Sequence, residues 1–70
     1  MNEKNSKILS PKDLRNFMNF HGISTKELAE IFGVTERAIE YWLTGKRELS
    51  VTNCRLIRIF HKYPQLLEEF

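Results

Sequence analysis

Apolar residues in this chain keep a fixed relation to a set of hydroxyl residues. Ser10, Ser24, Thr35 and Ser50 each follow one apolar residue and precede another by four positions, giving the pairs Leu9/Leu14, Ile23/Leu28, Val34/Ile39 and Leu49/Cys54. A hydroxyl at the N-cap accepts a hydrogen bond from the first helical turn, and the flanking apolar pair closes over that turn as a staple. Four helix starts are therefore predicted. Pro11 and Asp13 strengthen the first, because proline suits the first helical position and a carboxylate suits the positive helix end. Ser24 with Glu27 has the spacing of a capping box. Gly22, Gly33 and Gly45 fall where these helices should stop. A short fifth helix is expected from Pro64 to Phe70, with Leu66, Leu67 and Phe70 on one face. Nothing reads as a strand, so the expected fold is all-α, a compact bundle of four to five helices over residues 10–70. Met1 to Leu9 is polar and aperiodic and reads as a flexible tail.

The helices predicted over Thr25 to Phe32 and Glu36 to Thr44 are separated by only Gly33-Val34-Thr35, the length of turn used in helix-turn-helix units. At about 100° per residue, Glu36, Arg37, Glu40, Tyr41 and Thr44 fall inside an arc of roughly 140°. Ala38, Ile39, Trp42 and Leu43 occupy the other side and should pack inward. In the helix from Val51 to Tyr63, Arg55, Arg58 and Lys62 form a narrow basic stripe. Apolar residues cover roughly 220° of the remainder, which is more than one small core absorbs.

Composition narrows the functional classes. Seventy residues make one domain with a modest core. A formal net charge of +2 permits contact with nucleic acid without requiring it. The single cysteine, Cys54, closes no intrachain disulfide, and no Cys/His spacing resembles a zinc site, so neither metal nor cofactor is expected. Cys54 and Trp42 are read as core residues, and His21 and His61 as helix-end cations. No apolar run reaches the roughly 20 residues of a membrane span and no signal peptide is visible, which points to the cytoplasm. Catalysis is not expected, since no Ser/His/Asp grouping or phosphate-cradling glycine loop is present.

The segment Ile23-Ser24-x-x-Glu27-Leu28-Ala29-Glu30-x-Phe32-Gly33-Val34-Thr35-x-x-x-Ile39-x-x-Trp42-x-x-Gly45-Lys46-Arg47 resembles the Cro and phage-lambda-repressor family, the xenobiotic-response-element type of helix-turn-helix. The likeness extends over roughly Leu14 to Phe60. Leu56-Ile57-x-Ile59-Phe60-x-x-Tyr63-Pro64-Gln65-Leu66-Leu67 is similar to the end of compact regulators in antitoxin and phage operons. The resemblance implies that the third helix enters the major groove of double-stranded DNA, presenting Glu36, Arg37 and Tyr41 to the bases with Glu40 beside them. Arg37 suits guanine O6 and N7, Glu36 or Glu40 suits cytosine N4, and Tyr41 suits a thymine methyl or a phosphate. Phosphate contacts are expected from Ser24, Thr25, Lys26, Thr35, Thr44, Lys46 and Arg47.

From Ser24 to Arg47 the chain carries four basic residues (Lys26, Arg37, Lys46, Arg47) and four acidic ones (Glu27, Glu30, Glu36, Glu40). Binding there must rest on placed donors rather than bulk charge. The expected function is a dimeric transcriptional regulator, a repressor of a phage, plasmid or antitoxin-type operon, acting at the nucleoid of a bacterial or phage-infected cell. Its homodimer interface is expected from Leu56, Ile59, Phe60, Tyr63, Leu66, Leu67 and Phe70. The rival is a protein-interaction module whose acidic third helix binds a toxin or a host defence protein.

Overall fold

In the computed structural model, residues 9–69 are described; residues 1–8 of the expected tail, and Phe70 with its expected interface role, lie outside the described residues. The elements are α1 (Pro11–His21), α2 (Thr25–Phe32), α3 (Glu36–Thr44), α4 (Val51–Lys62) and a closing 3-10 helix (Pro64–Glu69). No strand occurs among the described residues.

Each α-helix begins at its expected hydroxyl. The oxygens of Ser10, Ser24, Thr35 and Ser50 accept from the backbone N–H of Asp13, Glu27, Ala38 and Asn53, each at 3.1 Å. At the first two starts the box is closed, because Asp13 Oδ2 and Glu27 Oε1 accept in return from the N–H of Ser10 (3.2 Å) and Ser24 (2.8 Å). At α2 the chain stops through Gly33, whose φ of +69° reverses its direction and lets the Val34 N–H reach back to the Ala29 carbonyl at 3.0 Å. Only glycine takes that conformation at little cost. α4 has no glycine and ends instead at Tyr63, where the following Pro64 has no N–H with which to extend the ladder. The short segment beyond it is wound as a 3-10 helix.

The core is built on the same register as the caps. Leu14, Leu28, Ile39 and Cys54 are the largest fully buried side chains, and each is the fourth residue after its cap. The staple that starts each helix thus delivers one residue per helix to the molecular centre, worth about 1.5–3 kcal/mol apiece for the large aliphatic ones. Around them lie Phe17, Met18, Ala29, Trp42, Leu49, Ile57 and Phe60. Phe32 bridges Trp42 and Phe60, with ring centroids 6.1 and 6.2 Å away. The closest backbone packing joins α2 to α3, α1 to α3, and α4 to the 3-10 helix.

Two residues expected at a dimer interface are spent inside the subunit. Phe60 is only 6% exposed and Leu67 packs against the core. Phe60 follows Cys54 and Ile57 at intervals of three, so the face of α4 that meets the core carries it inward. Leu56, Ile59, Tyr63 and Leu66 remain exposed on the other flank. Leu9, at the edge of the expected tail, packs against the core and directs its N–H to Cys54 Sγ at 3.3 Å. No helix among the described residues is long and apolar enough to cross a membrane.

Candidate functional site

A charged, exposed face lies on α3. Ile39 and Trp42 fasten this helix to the core, and their burial turns Glu36, Arg37 and Glu40 outward. Among the described residues, no hydrogen bond or ion pair holds any of these three side chains, so their full bonding capacity faces solvent. Tyr41 is half buried at the edge of the same face. Lys46 Nζ and Arg47 Cζ each lie 5.6 Å from its ring centroid. The Arg47 N–H also donates to the Tyr41 carbonyl at 3.3 Å. The chain therefore folds back after Gly45 and places two cations over one aromatic ring, an arrangement in which the ring quadrupole attracts both charges.

A third cation arrives from α1. Arg15 Nη2 donates to the carbonyl of Leu43 at 3.4 Å, near the negative end of α3. No local sequence signal marks Arg15 for this surface, because its partner lies 28 positions away. The C-terminal end of α3 thus gathers Arg15, Lys46 and Arg47, while its first turns carry Glu36 and Glu40 around Arg37.

The residues expected to touch phosphates differ in what they have left to give. The hydroxyls of Ser24 and Thr35 act as acceptors in their caps, which leaves each O–H proton free to donate. Thr44 differs: its Oγ1 donates to the Glu40 carbonyl at 2.9 Å, so the proton is committed within the helix. The two helix starts differ as well. Glu27 closes over the Ser24 N–H, whereas residue N3 of α3 is Ala38, which has no carboxylate to return to Thr35. The difference falls on the N-cap amides, since the Ser24 N–H is taken by a carboxylate and the Thr35 N–H is not. Lys26 is exposed and Thr25 half buried at the start of α2. No hydrogen bond among the described residues links Ser24, Thr25 or Lys26 to the outer face of α3.

A second feature lies on the other flank of α1. α1 and α4 stand side by side, tied near their starts through Leu9 and Cys54 and at their ends by His21 Nε2 and His61 Nδ1, 3.1 Å apart. The Phe20 ring lies 4.9 Å from the His21 ring and 5.3 Å from that of His61. Burial, and then the neighbouring His61, lower the His21 pKa below its ordinary 6.5. Between the two helices opens a cleft of about 590 Å³ whose walls include Phe17, Phe20 and Ile57. The two histidines, expected as separate helix-end cations, form one aromatic cluster. No group of three or more His, Cys, Asp or Glu side chains among the described residues is placed to hold a metal ion.

Comparison of the chain with protein-family models, with curated proteins and with solved structures finds no match.

Proposed function

We propose that the chain is a sequence-specific double-stranded DNA-binding regulator in which α2, the Gly33–Thr35 turn and α3 act as a helix-turn-helix and α3 lies in the major groove. The observation that supports it most is the outer face of α3, where Arg37 and Glu40 project unpartnered beside a tyrosine carrying two cations. A helix with its side chains is about 10–12 Å across, which matches the width of the major groove of B-DNA. In that position Arg37 spans O6 and N7 of a guanine, and Glu36 or Glu40 accepts from a cytosine amino group. Lys46 and Arg47, at the edge of the same face, meet the flanking phosphates. Tyr41 holds those two cations in register with the base-reading turn. Ser24 and Thr35 donate their unused hydroxyl protons to the backbone. Thr44 has no proton to spare and serves the helix rather than the DNA. Two copies bound half-sites about one helical turn apart give a pseudo-palindromic operator, and covering a promoter suffices for repression.

Selection from a randomised duplex library, followed by fluorescence anisotropy on the enriched sequence, tests this reading. Arg37→Ala is expected to lose about 1–3 kcal/mol of binding, roughly 5- to 150-fold, with relaxed preference at one base position. Failure to enrich any sequence at low salt removes the proposal.

The unpartnered carboxylates of Glu36 and Glu40 favour a second reading, a basic protein surface such as that of a toxin or a host defence protein bound by α3. Double replacement of Glu36 and Glu40 by glutamine separates the two. It retains phosphate-driven binding to DNA while relaxing the preference at the cytosine position, and abolishes binding to a basic protein.

A further inference from the structure

The α1–α4 cleft and the side chain beside it have the form of a self-complementary contact. Phe20 is 74% exposed, the most exposed large apolar side chain among the described residues. It stands on the wall of a cleft of about 590 Å³ that Phe17, Ile57 and His61 also line. The cleft is open to solvent and wide enough to receive a large side chain. A projection and a recess on one face are what a two-fold contact requires, since the same patch must supply both halves. The charges on the two walls point the same way. Asp13 lies on the α1 wall and Arg58 on the α4 wall. A two-fold axis running along the cleft brings α1 of one copy over α4 of the other, so the acidic wall meets the basic wall twice. The cleft also lies on the flank of α1 opposite Arg15, which reaches to α3, and a contact there leaves the outer face of α3 open.

We infer that the α1–α4 cleft is the surface through which two copies of this chain associate, with Phe20 of each copy entering the cleft of the other. This inference rests on the dimeric part of the proposed function and moves the contact away from the outer flank of α4, where Leu56, Ile59 and Tyr63 are exposed. Phe20 becomes the anchor, Phe17 and Ile57 the floor, and Asp13 with Arg58 the rim that fixes the register of the two copies. Large aromatic side chains in desolvated recesses carry most of the energy of such contacts.

Sedimentation equilibrium of the full chain from micromolar to millimolar concentration provides the test. The wild type is expected to dimerise, and Phe20→Lys to raise the dissociation constant by at least about tenfold while its circular dichroism is unchanged. Arg58→Glu is expected to weaken association severalfold and to make it less sensitive to salt. Ile59→Lys, on the outer flank of α4, is expected to leave the dimer intact. A wild type that is monomeric at millimolar concentration overturns the inference. So does a dimer broken by Ile59→Lys and untouched by Phe20→Lys. Fluorescence anisotropy on a single half-site keeps the two proposals apart. Monomeric Phe20→Lys should still bind it in an Arg37-dependent way, and loss of DNA binding by wild type with its dimer intact removes the DNA reading alone.

Discussion

α1 separates two surfaces of opposite character. On one flank Arg15 reaches the end of α3, whose outer face is charged and unpartnered. On the other, Phe17, Phe20 and His61 line a mostly apolar cleft. The first surface suits a partner read by individual hydrogen bonds, which work through a wet interface. The second suits a partner that fills a shape, since apolar walls gain only by excluding water. The α3 face rests on one helix and keeps its geometry as long as that helix is capped and anchored. The cleft exists only while two helices keep their separation. A 70-residue chain thus carries a charged face and an apolar cleft on a single small core.

The largest effect is expected where the two surfaces share their support. Ile39 is fully buried beneath α3, and Ile39→Ala should cost about 2–5 kcal/mol. That approaches the roughly 4–10 kcal/mol available to a domain of this length. Thermal and urea unfolding followed by circular dichroism should show a large loss of stability, with both surfaces lost together. Retention of full DNA binding and dimerisation by a destabilised protein would show that the surfaces do not depend on a common frame.

A smaller perturbation divides them. Thr35→Ala removes the side-chain cap at the start of α3, where Ala38 returns no carboxylate. It should cost about 1 kcal/mol, weaken DNA binding and leave association unchanged. Ser24→Ala opens a box with bonds in both directions. Its cost in thermal stability should equal or exceed that of Thr35→Ala, with a smaller effect on binding. Equal effects of the two variants on DNA binding would place the reading surface on α2 as much as α3.

The smallest effect concerns His21, at the end of α1. With its pKa lowered in the folded state, His21 binds a proton less readily there than in the unfolded chain. Stability is therefore complete above the ordinary value of 6.5 and falls as the pH drops from there toward the lowered value. Burial and His61 are the causes of that lowering, and Glu27, Glu30 and Glu68 line the recess beside His21. Melting at about pH 7.5 and about pH 5.5 should show the lower stability at the acid end, and His21→Gln should narrow the difference. A variant with an unchanged difference would assign the pH dependence to other groups.

Four hydroxyl caps, three glycine ends and four staple pairs were legible in the sequence because each joins residues no more than five positions apart. The same local rules placed Leu14, Leu28, Ile39 and Cys54 at the centre and turned Glu36, Arg37 and Glu40 outward, since one helical period fixes the face of every residue in a helix. The sequence also showed that α4 has more apolar surface than a small core needs. Tertiary packing alone decided which flank was surplus, taking Phe60 inward and leaving Ile59 at the surface. Packing likewise joined Arg15 to Leu43, His21 to His61 and Leu9 to Cys54, pairs 28, 40 and 45 positions apart. It left Phe20 standing beside an open cleft. Capping and periodicity are settled within a few residues of backbone, but a contact between distant segments depends on how whole helices pack.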